Sequence, residues 1–148
     1  MISKPDDAVF MQKAIQLAEI AYEKGEVPVG AVLVYDGKII SKAHNQTEML
    51  NDATAHAEML AITSGCAHFN SKYLKDCTLY ISLEPCPMCA AALYWTQIKT
   101  IFWGANDEKR GLTKFEPSLL HPSTTVHTGL CAIESELLLK RFFQEKRK

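Results

Sequence analysis

Two short apolar segments, separated by one helix-length segment, constrain the fold of this chain more than any other feature. Residues 77–83 have the sequence CTLYISL and residues 100–105 have TIFWGA, with the length and residue types of buried strands. Between them lies EPCPMCAAALYWTQI, in which Pro87 suits the first turn of a helix. Strand, helix and strand form a βαβ unit, so we expect these two strands to be parallel.

The amino-terminal half predicts a helix and a hairpin. Apolar residues recur at helical spacing from Asp6 or Asp7 to Lys24, and Gly25 is suited to end that helix. In the following segment, EVPVGAVLVYDGKIISKAHN, Asp36-Gly37 stands between two β-branched runs. That arrangement is a strong signal for a β-hairpin.

Two further helices complete the prediction. After a polar loop at residues 45–52, a second helix begins near Thr54 and is expected to close at Gly65, and a last helix runs from about Glu134 towards Arg147. No repeat or linker-like tract divides the chain, so residues 1–148 are predicted to form a single domain. The fold class is α/β, a three-layer αβα arrangement with a mixed sheet of about five strands and helices on both faces.

Composition excludes several classes of protein. The 148 residues are 47% hydrophobic and 22% charged, with a formal net charge of −1, which excludes a disordered chain and a uniformly basic nucleic-acid binder. No apolar run approaches the roughly 20 residues of a membrane span, and MISKPDDAVF is not a secretory signal. Five cysteines, an odd count, favour reduced thiols. We therefore expect a cytoplasmic protein with no membrane partner.

Two short motifs carry the residue types of a metal site. His56-Ala-Glu58 and Pro85-Cys86-Pro-Met-Cys89 are both expected in the first turn of a helix, where the helix dipole favours thiolates. One His and two Cys give three ligands, whereas Zn²⁺ prefers four, and three ligands plus a water is the catalytic arrangement. Zinc lowers the pKa of such a water to about 7, and Glu58 is the candidate proton carrier beside it.

Spacing alone leaves the metal geometry open. Positions two apart on a helix diverge by about 200°, so His56 and Glu58 converge on one ion only if it sits over the helix end. The alternative is that Cys86 and Cys89 are buried helix thiols and His56 is a packed histidine. The combination H-x-E with P-C-x-x-C, however, is typical of zinc nucleobase deaminases.

On these motifs the chain resembles the cytidine-deaminase-like superfamily, and within it the TadA-type tRNA adenosine deaminases, which convert the wobble adenosine to inosine. The resemblance runs from about Phe10 to Arg147. It includes EVPVGAVLV, NDATAHAEM, TLYISLEPCPMCAAAL, GANDEKRG and LLLKRFFQEKRK. It implies a cytidine-deaminase-like fold, a zinc-dependent hydrolase with one Zn²⁺ per subunit, tRNA as partner, and a homodimer.

The resemblance also implies roles for individual residues. His56, Cys86 and Cys89 would be the zinc ligands, and Glu58 would be the catalytic proton shuttle. Three positions match substrate-binding residues of the family, with Asn45 bonding the nucleoside, Val29 forming a wall of the base pocket and Asp107 contacting the anticodon loop. The backbone N–H of Cys86 is expected to hold the oxygen that adds to the base. Without the resemblance, Asn45 and Asp107 would be interpreted as ordinary turn and loop residues.

RNA contacts are predicted from the distribution of charge. The last nine residues hold five Lys or Arg and one Glu, and with Lys109 and Arg110 they give a local basic surface. Lys109, Arg110 and Arg147 are the candidate RNA contacts for an anticodon loop. The alternative for the tail is a solvated helix end favoured by the helix dipole.

Other functions remain open at this stage. Pro87 stands where many tRNA adenosine deaminases have Val, and PCPMC is also a habit of bacterial guanine deaminases, so deamination of free guanine is the main alternative. Ala53 replaces a Pro that is usual in the family. Another nucleobase or nucleoside deaminase is a further alternative. A non-catalytic, zinc-stabilised RNA-binding subunit is a third alternative, although such subunits typically lose the shuttle Glu, which is present here as Glu58.

Overall fold

In the computed structural model, which describes residues 5–115 and 117–146, four α-helices surround one five-stranded sheet. The helices are α1 (Pro5–Glu23), α2 (Ala57–Phe69), α3 (Pro87–Thr96) and α4 (Ala132–Lys146). The strands are β1 (Gly30–Tyr35), β2 (Lys38–His44), β3 (Thr78–Leu83), β4 (Thr100–Ala105) and β5 (Thr125–Thr128).

The sheet has the strand order β2-β1-β3-β4-β5 and mixes both kinds of pairing. Strand β1 is antiparallel to β2 and β3, whereas β3 and β4, and β4 and β5, are parallel. The predicted parallel pair is therefore confirmed, with α3 as its crossover helix. Because β3 and β4 are parallel, their carboxyl ends lie at one edge, where Leu83 pairs with Ala105.

The predicted hairpin joins β1 to β2 through a two-residue turn. Asp36 and Gly37 have φ values of 51° and 73°, so both central residues lie in the left-handed region that a type I′ turn requires. Asx and Gly residues adopt this region at low cost. The hairpin sets the position of Asn45, which follows β2 directly.

Alternation along the strands explains the three layers. Ala31 and Leu33 belong to an apolar cluster with residues of α2 and α3, whereas Val32 and Val34 pack with residues of α1. Successive side chains of a strand point to opposite faces, so each face of the sheet buries its own set of helices. Helix α4 lies on the α1 face, where Phe142 contacts Tyr22 with ring centroids 6.1 Å apart. The predicted αβα arrangement is confirmed.

The second helix continues past the residue expected to end it. Gly65 lies inside α2 and is buried, and the helix ends instead at Asn70, which takes the left-handed conformation with φ 50°. A Cβ atom on Gly65 would lie 2.3 Å from Cδ2 of Leu33. Gly65 therefore serves close packing of α2 on β1, which local sequence signals do not distinguish from a helix end.

The fifth strand and the chain end complete the comparison with the sequence. Strand β5 is a four-residue edge strand, which is too short to show the alternation that marks a strand in a sequence. Helix α4 begins within two residues of the predicted Glu134, and the predicted Arg147 lies outside the described residues. In the part of the chain that the structure describes, no helix combines the length and the apolar character needed to cross a membrane.

Candidate metal centre

Three side chains from two helix starts meet at the carboxyl edge of β3. His56 and Cys86 are the N-cap residues of α2 and α3, and Cys89 is in the first turn of α3. The Nδ1 atom of His56 lies 3.6 Å from Sγ of Cys86 and 3.5 Å from Sγ of Cys89. The three donor atoms lie within 4.8 Å of one another. The structure thus brings together the three residues that the sequence proposed as ligands.

These distances fit a tetrahedral zinc ion. With Zn–S near 2.3 Å and Zn–N near 2.1 Å, a tetrahedral ion holds its nitrogen and sulfur ligands about 3.6 Å apart. The observed separations of 3.6 and 3.5 Å match that edge. Within residues 5–115 and 117–146, the cluster contains only these three His, Cys, Asp or Glu donors. A fourth position is thereby left for water or substrate, as in catalytic zinc sites.

The sequence analysis expected His56 in the first turn of α2, whereas in the structure it is the N-cap residue that precedes the first turn. Its backbone is extended, with φ −69° and ψ 153°, and its side chain makes no capping bond. The N-cap residue is not bound by the 100° rotation between helical positions. His56 and Glu58 can therefore face the same region beyond the helix end, which resolves the geometry that spacing left open.

The pKa values of the two thiols are shifted in opposite directions. A hydrogen bond that the Cys89 thiol donates to the Cys86 sulfur, together with one donated by the His56 ring, lowers the pKa of Cys86 to about 4. The same hydrogen bond and burial raise the pKa of the Cys89 thiol. The neighbouring Cys86 sulfur raises the pKa of His56. Cys86 therefore loses its proton more readily than Cys89, and zinc ligation requires that both thiols lose their protons.

Glu58 is a buried carboxyl group beside this cluster. Only 4% of its surface is exposed, and burial raises its pKa to about 7, against the opposing effect of His56. A carboxyl group with such a pKa gains and loses a proton near neutrality, as a general acid and base must. The structure therefore places a buried, titratable carboxyl group next to the three proposed ligands, and the role of Glu58 as proton carrier stays a prediction.

Asn45 and Val29 lie together where β2 leads into the site. The N–H of Asn45 donates to the carbonyl of Val29 at 3.0 Å, and the side-chain amide of Asn45 donates to the carbonyl of Val27 at 3.4 Å. The Oδ1 atom of Asn45 is buried and has no hydrogen-bond partner among the described residues. Gln46 is bonded to Ala55, the neighbour of His56. The free Oδ1 atom of Asn45 thus belongs to a residue whose neighbour, Gln46, is hydrogen-bonded to the segment that contains His56.

The loop after β4, residues 106–115, carries the other predicted site residues. Oδ1 of Asp107 accepts hydrogen bonds from the N–H groups of Lys109 and Arg110, at 3.1 and 3.0 Å. The side chains of Lys109 and Arg110 are exposed. The N–H of Leu112 donates to the carbonyl of Pro85 at 3.0 Å, which brings this loop against the segment containing Cys86.

Comparisons with known proteins agree with this geometry. Residues 4–105 match the family model of the cytidine and deoxycytidylate deaminase zinc-binding region. The tRNA-specific adenosine deaminase of Aquifex aeolicus is 46% identical over 144 residues, covering 93% of this chain and 94% of that protein. The chain belongs to the tRNA-specific adenosine deaminase family. As a member of that family it is a zinc-dependent hydrolytic deaminase, and zinc is the metal that His56, Cys86 and Cys89 fit.

Solved structures give the same fold for this family member. One from a study of A-to-I editing by tRNA:A34 deaminases is 40% identical, with a TM-score of 0.83, and covers 88% of this chain and 99% of that chain. A guanine deaminase of Bacillus subtilis is 43% identical but covers only 66% of this chain and 63% of its own, with a TM-score of 0.64. The cytidine-deaminase-like fold is therefore confirmed.

Two buried carboxylates of the deaminase escaped the sequence analysis. Glu26 accepts hydrogen bonds from the N–H groups of Glu48 and Met49, at 3.0 and 2.8 Å, and Glu84 accepts bonds from residues 107 and 113. Both are at most 3% exposed. The sequence offers one signal for them, which is that each is an acidic residue next to an apolar segment. An acidic residue in such a place is buried only when hydrogen-bond donors from loops surround it.

Proposed function

We propose that this protein removes the amino group of the wobble adenosine of tRNA by hydrolysis and leaves inosine. The observation that carries the proposal is the triangle of His56, Cys86 and Cys89 beside the buried carboxyl group of Glu58. The length of the match to tRNA-specific adenosine deaminases, 93% of the chain, selects the substrate class.

Glu58 is proposed to carry out the proton transfers of the reaction. Zinc, when bound by the three ligands, supplies a Lewis acid that lowers the pKa of water to about 7. Glu58 takes a proton from the attacking water and gives one to N1 of adenine, so that C6 becomes electrophilic. The hydroxide oxygen adds at C6. Glu58 then takes the proton of the new C6 hydroxyl group and passes it to the amine, so that the C6–N6 bond breaks and the C6–O bond becomes a carbonyl. Adenosine and water thereby become inosine and ammonia.

Asn45, Val29 and the start of α3 are proposed to hold the base. Asn45 offers the buried Oδ1 acceptor and its amide to the nucleoside, and Val29, 8% exposed, forms a wall of the base pocket. The backbone N–H of Cys86, at the start of α3, is proposed to hold the oxygen that adds to C6, because N–H groups at a helix start stabilise developing negative charge.

An RNA loop is the substrate that suits such a pocket. Bases of an anticodon loop are already unpaired, so extruding one of them costs little. Lys109 and Arg110 are exposed beside the site and are proposed to contact phosphate groups, which supply most of the affinity for RNA. Asp107 lies in the same loop and is proposed to contact the anticodon loop. Arg147 is proposed as a further phosphate contact in the basic tail.

A homodimer in the cytoplasm is proposed as the working form. The exposed aromatic side chains of α3 support it, since Trp95 is 74% and Tyr94 38% exposed on the helix that also carries Cys89. Large exposed aromatic groups favour burial against a partner. Light scattering of the wild-type protein and of Trp95→Glu tests this, with a dimer for the first and a monomer for the second as the expected result.

Guanine deamination is the competing function. In its favour stand Pro87 and the 43% identity to the Bacillus subtilis guanine deaminase, although that match spans a smaller share of both chains. The deciding experiment offers the purified protein an anticodon stem-loop with adenosine at the wobble position and, separately, free guanine. Inosine from the stem-loop with no xanthine from guanine is expected. Xanthine alone would assign the enzyme to guanine.

A further inference from the structure

Glu84 is a buried carboxylate whose oxygens are both engaged by the loop of residues 106–115. Glu84 comes directly after β3 and two residues before Cys86, and its side chain is 3% exposed. Oε1 accepts a hydrogen bond from the N–H of Asp107 at 3.0 Å. Oε2 accepts two from Thr113, one from its N–H at 3.0 Å and one from its hydroxyl at 2.8 Å. One side chain thus holds both ends of the loop.

The negative charge of Glu84 has no cation beside it. Among the described residues, Arg141 and Glu145 form an ion pair at the surface of α4, and within that part of the chain no Lys or Arg nitrogen pairs with Glu84. The charge is stabilised by N–H and O–H donors alone. Buried carboxylates of this kind depend on every donor, because each unmet group keeps its full desolvation cost.

The loop is built around this carboxylate. A Cβ atom at Gly111 would lie 2.0 Å from Oε2 of Glu84 and 2.6 Å from the carbonyl oxygen of Asp107, so only glycine fits there. The N–H of Gly111 donates to that same carbonyl at 2.9 Å. The absence of a side chain at Gly111 therefore lets the loop pack directly against the carboxylate of Glu84.

The order imposed by Glu84 reaches two exposed basic residues. Glu84 fixes the N–H of Asp107, and Oδ1 of Asp107 in turn accepts the N–H groups of Lys109 and Arg110. The backbone of both basic residues is thus held by a chain of two carboxylates. Among the described residues, Glu84 accepts its side-chain hydrogen bonds from Asp107 and Thr113 and not from His56, Cys86 or Cys89, so its role differs from that of the proposed metal ligands.

We infer that Glu84 is a positioning residue for RNA, which holds residues 106–115 in the form that presents Lys109 and Arg110 to the phosphate backbone of the substrate. The inference rests on the proposed function, because it takes RNA as the substrate. Glu84 touches neither the base nor the reacting atoms. It sets the affinity for the loop around the target base.

The direction in which RNA affinity changes in a Glu84→Gln protein distinguishes a positioning role from an effect of charge alone. Replacing Glu84 by Gln removes a negative charge near the RNA, and electrostatics alone would then tighten binding. The amide also turns an NH₂ group towards an N–H donor, so the loop loses at least one hydrogen bond. Weaker binding of RNA by the Glu84→Gln protein is therefore the specific mark of positioning.

The first measurement is amide hydrogen exchange in the zinc-loaded protein. In Glu84→Gln we expect the amides of Asp107 and Thr113 to exchange about tenfold faster, which is the change produced by losing one average hydrogen bond. Glu108→Gln is the matched control, because Glu108 is exposed in the same loop, and it should leave both rates unchanged. Unchanged rates in Glu84→Gln would overturn the inference.

The second measurement is the steady-state kinetics of inosine release from an anticodon stem-loop. In Glu84→Gln we expect KM to rise about three- to tenfold, the effect of one or two weakened phosphate contacts, with kcat and zinc content unchanged. Glu108→Gln should not raise KM. A fall in kcat or zinc content with KM unchanged would show that Glu84 supports the metal centre instead, and would overturn the inference.

A milder variant guards against misfolding of Glu84→Gln. Thr113→Val removes only the hydroxyl donor to Oε2 and keeps the backbone N–H, so it should raise KM in the same direction by a smaller factor. In a Glu84→Gln, Lys109→Ala double variant the two effects should be less than additive, since both act through one contact. Full additivity would contradict the inference.

The exchange and kinetic measurements together also test this inference separately from the proposed function. If the wild-type protein failed to release inosine from the stem-loop, the proposed function would be overturned. The exchange rates would still report whether Glu84 orders the loop. If the wild type is active and Glu84→Gln retains its KM for RNA, the positioning role fails while the proposed function stands.

Discussion

The Nδ1 atom of His56 lies 3.5 Å from Sγ of Cys89, although the two residues are 33 positions apart in the chain. His56 begins α2 and Cys89 belongs to the first turn of α3, so the contact joins two helices that are distant in the sequence and pack in the same apolar cluster. A metal ion placed between them completes this junction, and several measurable effects follow from it.

Replacing His56 by Ala should remove both the metal and the activity. Two thiol ligands remain, which is fewer than the three that a catalytic zinc site requires. Zinc content measured by mass spectrometry should fall well below one per chain, together with inosine release. The control is His68→Ala, an exposed residue near the other end of α2, which should keep full zinc. A His56→Ala protein with normal zinc content would contradict the ligand assignment.

Replacing Glu58 by Gln should keep the zinc and abolish turnover. Glutamine has nearly the same shape but carries no titratable proton, so we expect kcat to fall at least about 100-fold, the usual contribution of a general acid and base. Glu136→Gln, an exposed change on α4, is the control for charge and should be fully active. The shuttle role would be refuted by near wild-type deamination in zinc-loaded Glu58→Gln protein.

Replacing Lys109 or Arg110 by Ala should weaken RNA binding and reduce its salt dependence. Each lost phosphate contact lowers the slope of log Kd against log salt by roughly 0.7 to 1. The measurement is the affinity of the inactive Glu58→Gln protein for the anticodon stem-loop at several salt concentrations. Lys38→Ala, in the β1–β2 hairpin, should leave the slope unchanged. Equal slopes for all variants would exclude phosphate contacts at this loop.

Two glycines should differ sharply in their tolerance of alanine. A Cβ atom at Gly30 would lie 2.0 Å from the backbone oxygen of Ala14, which cannot move without shifting α1. At Gly65 it would meet the flexible end of Leu33, and alanine also favours the helix. We expect losses in the free energy of unfolding of about 3 kcal/mol for Gly30→Ala and about 1 kcal/mol or less for Gly65→Ala. Urea unfolding checks the difference, and the reverse order would contradict the packing.

Local signals were enough to predict the scaffold of the site. The Asp36-Gly37 pair gave the hairpin, the two apolar runs gave the parallel strands, and Pro87 gave the start of α3. Each of these features depends on residues that are close in sequence. The cluster of His56, Cys86 and Cys89 was also predictable, because a His and two thiols at helix starts have few structural uses together.

Features that depend on tertiary packing were not predictable. The extended backbone of His56 follows from the way α2 begins against the sheet, and the burial of Glu84 follows from a loop that folds back from 23 to 29 residues away. Gly65 was mistaken for a helix end, because its small size serves contact with Leu33 and not a turn. Such features belong to the assembled fold, and local spacing carries no record of them.

The placement of the ligands on two separate helices has a thermodynamic consequence. An ion that binds only the folded chain shifts the folding equilibrium by mass action. The melting temperature should therefore rise with free zinc concentration and report how fully the protein is loaded. A cell that withdraws zinc would then lower the amount of folded enzyme as well as its activity, so that metal supply and protein abundance become one variable.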